Sequence, residues 1–501
     1  MTLKQVFLGI LTLLAIAIMG GSLLSSVTQP QIQSRLELYQ TNLLLHASEW
    51  QTETNSNPSL TTIKQGIIGE NGIKTALKQY EEIQESTQTS LNQAQALPEL
   101  TDTSELNNIR NLLTEVTLKT GILQAATGEI DSALSNWNRV IEGEVNKTRS
   151  LAVETAQVLS GIWSQQARIL PNSESILSQN LDGWFRYKSL SQLYQIQERK
   201  QALVSLQAQE QSIAEQALTK LIIISAIPGI GLFLGTLLLI GLVVQWLLKR
   251  KDSILARNSS TQWLVPWNWE IILQVFLVGF FLVGQLVVPI IFSLVFQSFN
   301  LQPATFAPRS QAIYVLITYL ILMSGGLSVL YFSIRSFFPL PEEWFKFNWR
   351  GNWFLWGVGG YLTALPLVII VSLLNQQIWD GQGGSNPILP IALENRDSLA
   401  LFIFFITASV AAPLFEEIFF RGFLLPSLTR YLPVWGAILL SSLIFAAAHL
   451  NISEVIPLTT LGVLLGFVYT RSRNLLSSIL LHGLWNSGTL LSLYILGSGT
   501  N

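Results

Sequence analysis

The sequence predicts an all-α protein, a polytopic membrane helical bundle of about nine spans with a soluble all-helical domain inserted between the first two. Of the 501 residues, 49% are hydrophobic and only 12% are charged, a balance far from that of an ordinary soluble protein. Apolar runs of about 20 residues, the length that crosses a hydrocarbon core, recur along the chain. Residues 29–219 differ, because they are polar with apolar residues at helical spacing.

Charge and cysteine content exclude several kinds of function. The formal net charge of -2 provides no basic field, so no nucleic-acid partner is expected. The chain has no cysteine, which excludes disulfides, thiolate metal sites and a cysteine nucleophile.

The first apolar run, from about residue 6 to 27, predicts an N-terminal transmembrane anchor over residues 1–28. It exceeds the roughly 7–15 residues of a usual signal-peptide core. An uncleaved anchor is therefore favoured over a cleaved signal peptide, although residues 22–26 contain small residues that a peptidase could accept.

Residues 29–219 predict a water-soluble helical domain. Within it, one pattern resembles the second half of a tetratricopeptide repeat, in which small residues let two helices approach and an aromatic side chain fills the groove between them. The pattern consists of Gly121, Gly128, Ala133, Trp137 and Val140. The spacing of its fainter echoes is not the regular 34 residues of that repeat, so plain antiparallel helices are an equal alternative.

A second span is predicted from Lys220 to about residue 247, within a segment 220–268 that also holds a cytoplasmic linker. The basic cluster at residues 249–251 places this end of the span inside and residues 29–219 outside, on the extracytoplasmic side. The linker contains tryptophans, which are typical of the lipid headgroup level: Trp263, Trp267 and Trp269.

Residues 269–501 predict the remaining spans, at about 271–296, 313–334 and 353–374 and then from about Leu399, Val434, Val455 and Leu475. Nine spans counted from an inside N-terminus place Arg471 and Arg473 inside, as the positive-inside rule requires. The Gly-rich segment 375–387 is no phosphate-binding loop, because it lacks the Gly-Lys-Ser/Thr and the preceding strand.

Few ionisable residues lie in the last four predicted helices. From Leu399 onward the only acids and histidines are Glu416, Glu417, Glu454, His449 and His482. Ionisable groups at bilayer depth are costly and normally face a bundle interior or a water cavity. Residues four apart share a helix face, so Glu417 is expected to pair with Arg421 as a structural ion pair, which leaves Glu416 to face elsewhere.

Two chemistries fit these residues. In the first, Glu416 is the general base on a water that His449 helps to polarise, while His482 and Asn486 donate hydrogen bonds to the oxyanion. In the second, Glu416, His449 and His482 bind zinc and leave one position open for water. The residues alone leave both open.

Three motifs, Glu416-Glu417-x3-Arg421, Phe445-x3-His449 and His482-x3-Asn486, resemble the signature of the CAAX protease and bacteriocin-processing (CPBP, Abi) family, which includes the type II CAAX prenyl endopeptidases. The resemblance covers roughly residues 353–494. It implies an intramembrane endopeptidase in which Glu416 and His449 activate water, and His482 and Asn486 form the oxyanion hole. It also implies that Glu417 and Arg421 support the site, and it favours a glutamic mechanism without a cofactor over a zinc one.

The expected substrate is a membrane-associated protein or peptide, and nothing in the chain indicates prenyl recognition. Residues 29–219 are expected to recruit or shield a protein partner. The alternatives are a catalytically silent membrane scaffold and a transporter with Glu416 in a proton relay, although the two related halves of many transporters are not visible. The default location is the plasma membrane, or the thylakoid for a photosynthetic source. His46, with only Glu49 near it in sequence, is interpreted as an ordinary residue, and Phe445 as packing.

Overall fold

Helices form all the regular secondary structure in the part of the chain that the structure, a computed structural model, describes. It describes residues 2–27, 32–51, 64–69, 71–96, 103–143, 151–256, 262–303, 306–379, 383 and 397–497. In chain order the helices are α1 (Leu3–Ser26), α2 (Ile32–Glu49), α3 (Gly72–Ala96), α4 (Thr103–Thr127), α5 (Ile130–Gly143), α6 (Leu151–Trp163), α7 (Ser173–Asn180), α8 (Gly183–Ile196), α9 (Lys200–Lys249), α10 (Trp269–Ser298), α11 (Pro308–Ile334), α12 (Trp353–Trp379), α13 (Ser398–Leu428), α14 (Val434–Ala447), α15 (Val455–Ser472) and α16 (Leu475–Gly497).

The chain divides into two compact units. The membrane unit comprises described residues within 1–27, 228–379 and 383–494, and the helical unit comprises described residues within 28–227. Each unit has its own buried apolar core. The predicted all-helical fold is confirmed.

Membrane-spanning helices dominate the first of these units. Among the described residues, seven helices are long and apolar enough to cross a membrane: α1, α9, α10, α11, α12, α13 and the segment Ile452–Ser472 that contains α15. The shorter apolar α14 and the helix α16 account for the other two predicted segments. The protein is therefore an integral, multi-pass membrane protein.

In the helical unit, α4 and α5 form the hairpin at the place where the repeat-like pattern lies. Gly128 closes the turn with a φ of 92°, a left-handed conformation that suits glycine. Trp137 is fully buried, and its Nε1 donates to the Leu118 carbonyl at 3.1 Å. A Cβ on Gly121 would lie 2.4 Å from Trp137 Nε1, so the small residue allows the close approach. The tetratricopeptide assignment itself stays a prediction.

The helix α9 begins earlier than the predicted span. It starts at Lys200 rather than Lys220 and continues for 50 residues without interruption. The reason is that the polar segment before the apolar run is rich in good helix formers such as Ala, Gln, Glu and Leu. Hydropathy located the apolar part of the helix and missed its polar beginning.

The predicted interfacial tryptophans are only partly interfacial. Trp269 is exposed, whereas Trp263 and Trp267 are buried in the membrane unit. The Trp267 ring lies 4.4 Å from that of Trp344, and its Nε1 donates to Ser427 Oγ at 2.9 Å. Edge-on aromatic packing and a satisfied indole N–H thus hold the linker against protein rather than headgroups. Residues 375–379 of the Gly-rich segment form the end of α12, and of its other residues the structure describes Gly383 alone.

Candidate active site

The backbone of α13 departs from regular α-helix on both sides of the acidic pair. Wide π-helical turns, Thr407–Ala411 and Ile418–Leu424, flank the α-helical Ala412–Glu417. Such insertions often occur at functional sites. Pro413 has no N–H, and the Ala408 carbonyl five residues earlier accepts instead from Asn486 Nδ2 at 2.8 Å. This hydrogen bond therefore links the irregular part of α13 to Asn486 on α16.

Glu417 and Arg421 lie in the predicted pairing. Arg421 Nη1 donates to Glu417 Oε1 at 2.8 Å, and both side chains are 0% exposed. Arg421 Nη2 also donates to the Gly462 carbonyl at 3.2 Å, and the guanidinium lies 4.5 Å from the centre of the Phe445 ring. A buried charge of this kind needs both its partner and its hydrogen bonds.

His482 connects the two acids, which the sequence pattern did not indicate. Its Nδ1 lies 3.0 Å from Glu417 Oε1, and its Nε2 lies 3.8 Å from Glu416 Oε2. Because Glu417 is already paired with Arg421 as an acceptor, His482 Nδ1 is the donor in this contact. Glu417 thus fixes the orientation of the ring so that Nε2 faces Glu416.

Glu416 is the acid with access to solvent or substrate. Its side chain is 17% exposed, whereas that of Glu417 is fully buried. The Tyr319 hydroxyl, on α11, donates to Glu416 Oε1 at 3.4 Å. The Tyr319 ring meets Phe415 edge-on at 6.1 Å. Sequence reasoning missed Tyr319, since a single tyrosine in an apolar helix carries no signal of its neighbours.

His449 and Phe445 bring a second imidazole toward the site. His449 Nδ1 lies 2.9 Å from the Phe445 carbonyl, to which it donates, so Nε2 remains available. The Phe445 ring meets the His449 ring at 4.9 Å and the His482 ring at 5.7 Å, edge-on in both cases. Phe445, interpreted from sequence as packing, does pack against both histidines and Arg421.

The zinc alternative requires Glu416, His449 and His482 to act as one ligand set. All three are among the described residues, and within those residues no three His, Asp or Glu side chains are grouped so that they could hold a metal ion. The Nδ1 atoms of both histidines are engaged, by the Phe445 carbonyl and by Glu417, and a histidine held in this way can still use Nε2 toward water, substrate or a metal ion. The glutamic mechanism without zinc stays a prediction, and no step below depends on a zinc ion.

Comparison with known proteins identifies the segment that holds these residues. Residues 398–488 match the family described as type II CAAX prenyl endopeptidase Rce1-like. We refer to the matched residues 398–488 as the Rce1-like domain, after the family that they resemble. All six predicted site residues lie in the Rce1-like domain, whereas Tyr319 lies outside it.

Two bacterial proteins are similar to this chain. One is the "Putative membrane peptidase YdiL" of Bacillus subtilis, 26% identical over 133 residues, which are 26% of this chain and 53% of that protein. The other is the "Membrane-embedded CAAX protease MroQ" of Staphylococcus aureus, 29% identical over 137 residues, which are 26% of this chain and 54% of that protein. The chain thus spans about half the length of these curated relatives. No solved structure matches it.

Proposed function

We propose that the protein is an intramembrane endopeptidase that hydrolyses a peptide bond in a membrane-associated protein or peptide. The observation that carries this proposal is a series of side-chain contacts that runs from Arg421 through Glu417 and His482 to Glu416. It ends on a partly exposed carboxylate with an oriented imidazole 3.8 Å away. A purely structural ion pair does not need the second acid or the second contact of His482.

In the proposed reaction, Glu416 accepts a proton from water as the water oxygen attacks the carbonyl carbon of the substrate. The C=O electron pair moves to oxygen and forms a tetrahedral oxyanion. When this intermediate collapses, the C–N bond breaks, and Glu416 returns the proton to the leaving amine. The second water proton stays on the new carboxyl group and then passes to the amine, so the products are a carboxylate and an ammonium group, and protons and electrons balance.

The other site residues have distinct roles in this scheme. The free Nε2 of His449 accepts a hydrogen bond from the attacking water and helps Glu416 to activate it. Asn486 uses one amide hydrogen on the Ala408 carbonyl, and the second is available to the oxyanion. His482 donates to the oxyanion when Nε2 carries a proton, while Glu417 holds the ring in either state. Glu416 and the imidazoles thus support a glutamic mechanism, which we favour over a zinc one.

The test is turnover of a quenched fluorescent peptide library by the full chain in proteoliposomes. We expect His449→Ala and Asn486→Ala each to lower kcat/KM by about 10²-fold or more. Glu343→Gln, which disrupts an exposed ion pair with Arg473, serves as the matched control and should retain parental turnover. Full turnover by both site variants would contradict the proposed roles. Stoichiometric zinc in the purified protein, lost together with activity on chelation, would reverse the choice of mechanism.

We also propose that the bilayer is the plasma membrane, with residues 29–219 on its extracytoplasmic side, as the positive-inside rule favours. Because the chain has no cysteine, single cysteines can report this topology without background. Lys74→Cys should react with a membrane-impermeant maleimide on intact cells, and Lys251→Cys should react only after permeabilisation. The reverse pattern would overturn the orientation.

A further inference from the structure

A groove lined by both polar and apolar side chains lies on the surface of the helical unit, between α3, α4 and α5. Its volume is about 700 Å³. Arg110, Asn107 and Asn111 of α4 line one side, Arg139 of α5 another, and Gln88 belongs to α3. This groove is separate from the Rce1-like domain, and the proposed chemistry does not use it.

The charge of the groove is one-sided. Among the described residues, Arg110 and Arg139 line the groove without any aspartate or glutamate, and neither arginine has an acid partner there. By contrast, Lys119 in the same unit lies 2.7 Å from Glu115 and 3.0 Å from Asp182. The groove therefore presents guanidinium groups that are suited to a carboxylate from another molecule.

The other lining groups suit an extended polypeptide. The carboxamides of Gln88, Asn107 and Asn111 can each donate to and accept from the peptide groups of a chain that lies in the groove. Leu91 and Val140, both largely buried, provide an apolar part of the lining. The groove can thus form hydrogen bonds to a peptide backbone, apolar contacts to a side chain and ion pairs to carboxylates.

Hydrogen bonds between the three helices fix the width of the groove. Gln84 Nε2 lies 3.1 Å from Thr117 Oγ1 and 3.3 Å from Asn136 Oδ1, which links α3 to α4 and α5. Asn136 Nδ2 in turn donates to Gln124 Oε1 at 2.8 Å. A site held in this way loses little entropy when a ligand binds.

We propose that this groove binds an extended acidic segment of another protein. The two guanidinium groups take its carboxylates, the carboxamides take its backbone, and the apolar residues take an intervening side chain. The groove thereby provides the unit with a recognition function that is independent of peptide hydrolysis.

The experiment uses the full-length Glu416→Gln protein in detergent micelles, so that cleavage of the probe does not interfere. The probes are a capped, fluorescein-labelled peptide of repeating Glu-Val-Ser units and its Gln-Val-Ser counterpart, with anisotropy as the readout. We expect the acidic peptide to bind at least about tenfold more tightly. Binding should weaken as the salt concentration rises from roughly 0.05 to 0.5 M.

Two double variants locate the binding. Arg110→Ala/Arg139→Ala should lose about tenfold or more in affinity, with an unchanged thermal midpoint because both side chains are exposed. Lys74→Ala/Lys78→Ala removes the same charge from α3 outside the groove and should bind as the parent does. Equal binding of the two peptides, no binding, or equal losses in the two double variants would overturn the proposal. If anionic lipid vesicles displace the labelled acidic peptide and unlabelled acidic peptide does not, the surface binds lipid. That result would also overturn the proposal.

Discussion

Replacement of Glu417 by leucine tests whether one buried carboxylate serves both the fold and the site. In the native protein this carboxylate accepts from Arg421 at 2.8 Å and from His482 at 3.0 Å. Leucine removes both contacts at nearly the same volume. The guanidinium then remains fully buried without its counter-charge.

The expected loss of stability is large. Removal of one partner of a buried pair costs about 3–5 kcal/mol, which should lower the thermal midpoint of unfolding by several degrees. In the double variant Glu417→Leu/Arg421→Met no buried charge remains unpaired, so most of the stability should return. His482 has still lost its acceptor, and kcat should stay about tenfold to a hundredfold below that of the parent.

The assay combines thermal unfolding followed by tryptophan fluorescence with peptide turnover in proteoliposomes. Glu343→Gln again serves as the control, because its exposed pair contributes only about 0–1 kcal/mol. If the double variant regains stability and activity together, Glu417 has no role in orienting His482. If neither single nor double substitution alters the midpoint, the buried ion pair does not contribute as reasoned.

Two further predictions concern contacts that only the structure revealed. His46→Leu removes the partner that lies 2.6 Å from the buried Glu210 carboxylate and should cost about 3–5 kcal/mol. Burial raises the pKa of Glu210. The stability lost in His46→Leu should therefore increase as the pH rises through that raised pKa and decrease in acid, where Glu210 is protonated. Equal losses in thermal midpoint at about pH 5 and pH 8 would contradict this. Tyr319→Phe should lower kcat severalfold with KM unchanged, since it removes the hydroxyl that contacts Glu416; the same loss in Tyr314→Phe, on the same helix, would assign the effect to packing.

Local helical geometry made part of the site predictable. Residues four apart share a face, and the structure accordingly places Glu417 against Arg421 and Phe445 against His449. The scarcity of charge in the last four helices also identified which of them carry polar groups. These features depend only on periodicity within one helix.

Contacts between distant helices were not predictable in this way. Periodicity shows which face of a helix is polar and does not show which helix lies opposite. His46, interpreted as an ordinary residue, pairs with Glu210, 164 positions away. His482 was expected to face the oxyanion or to bind zinc, and its contact with Glu417 depends on the packing of α16 against α13.

The irregular backbone of α13 was predictable from the sequence only in part. Pro413 is visible in the sequence, but the wide turn before it and the use of Asn486 to bond the Ala408 carbonyl are not. The wide turn sets the direction of the residues that follow it. Sequence reasoning therefore identified Glu416 without being able to give the orientation of its side chain.

The most direct test of the central claim is the rate at which Glu416→Gln cleaves a peptide substrate in proteoliposomes, relative to the parent. Glutamine preserves the shape of the side chain and removes the base that accepts the proton from water. We predict a fall in kcat of about 10²-fold or more with an unchanged thermal midpoint. Parental turnover by this variant would contradict the assignment of Glu416 as the general base.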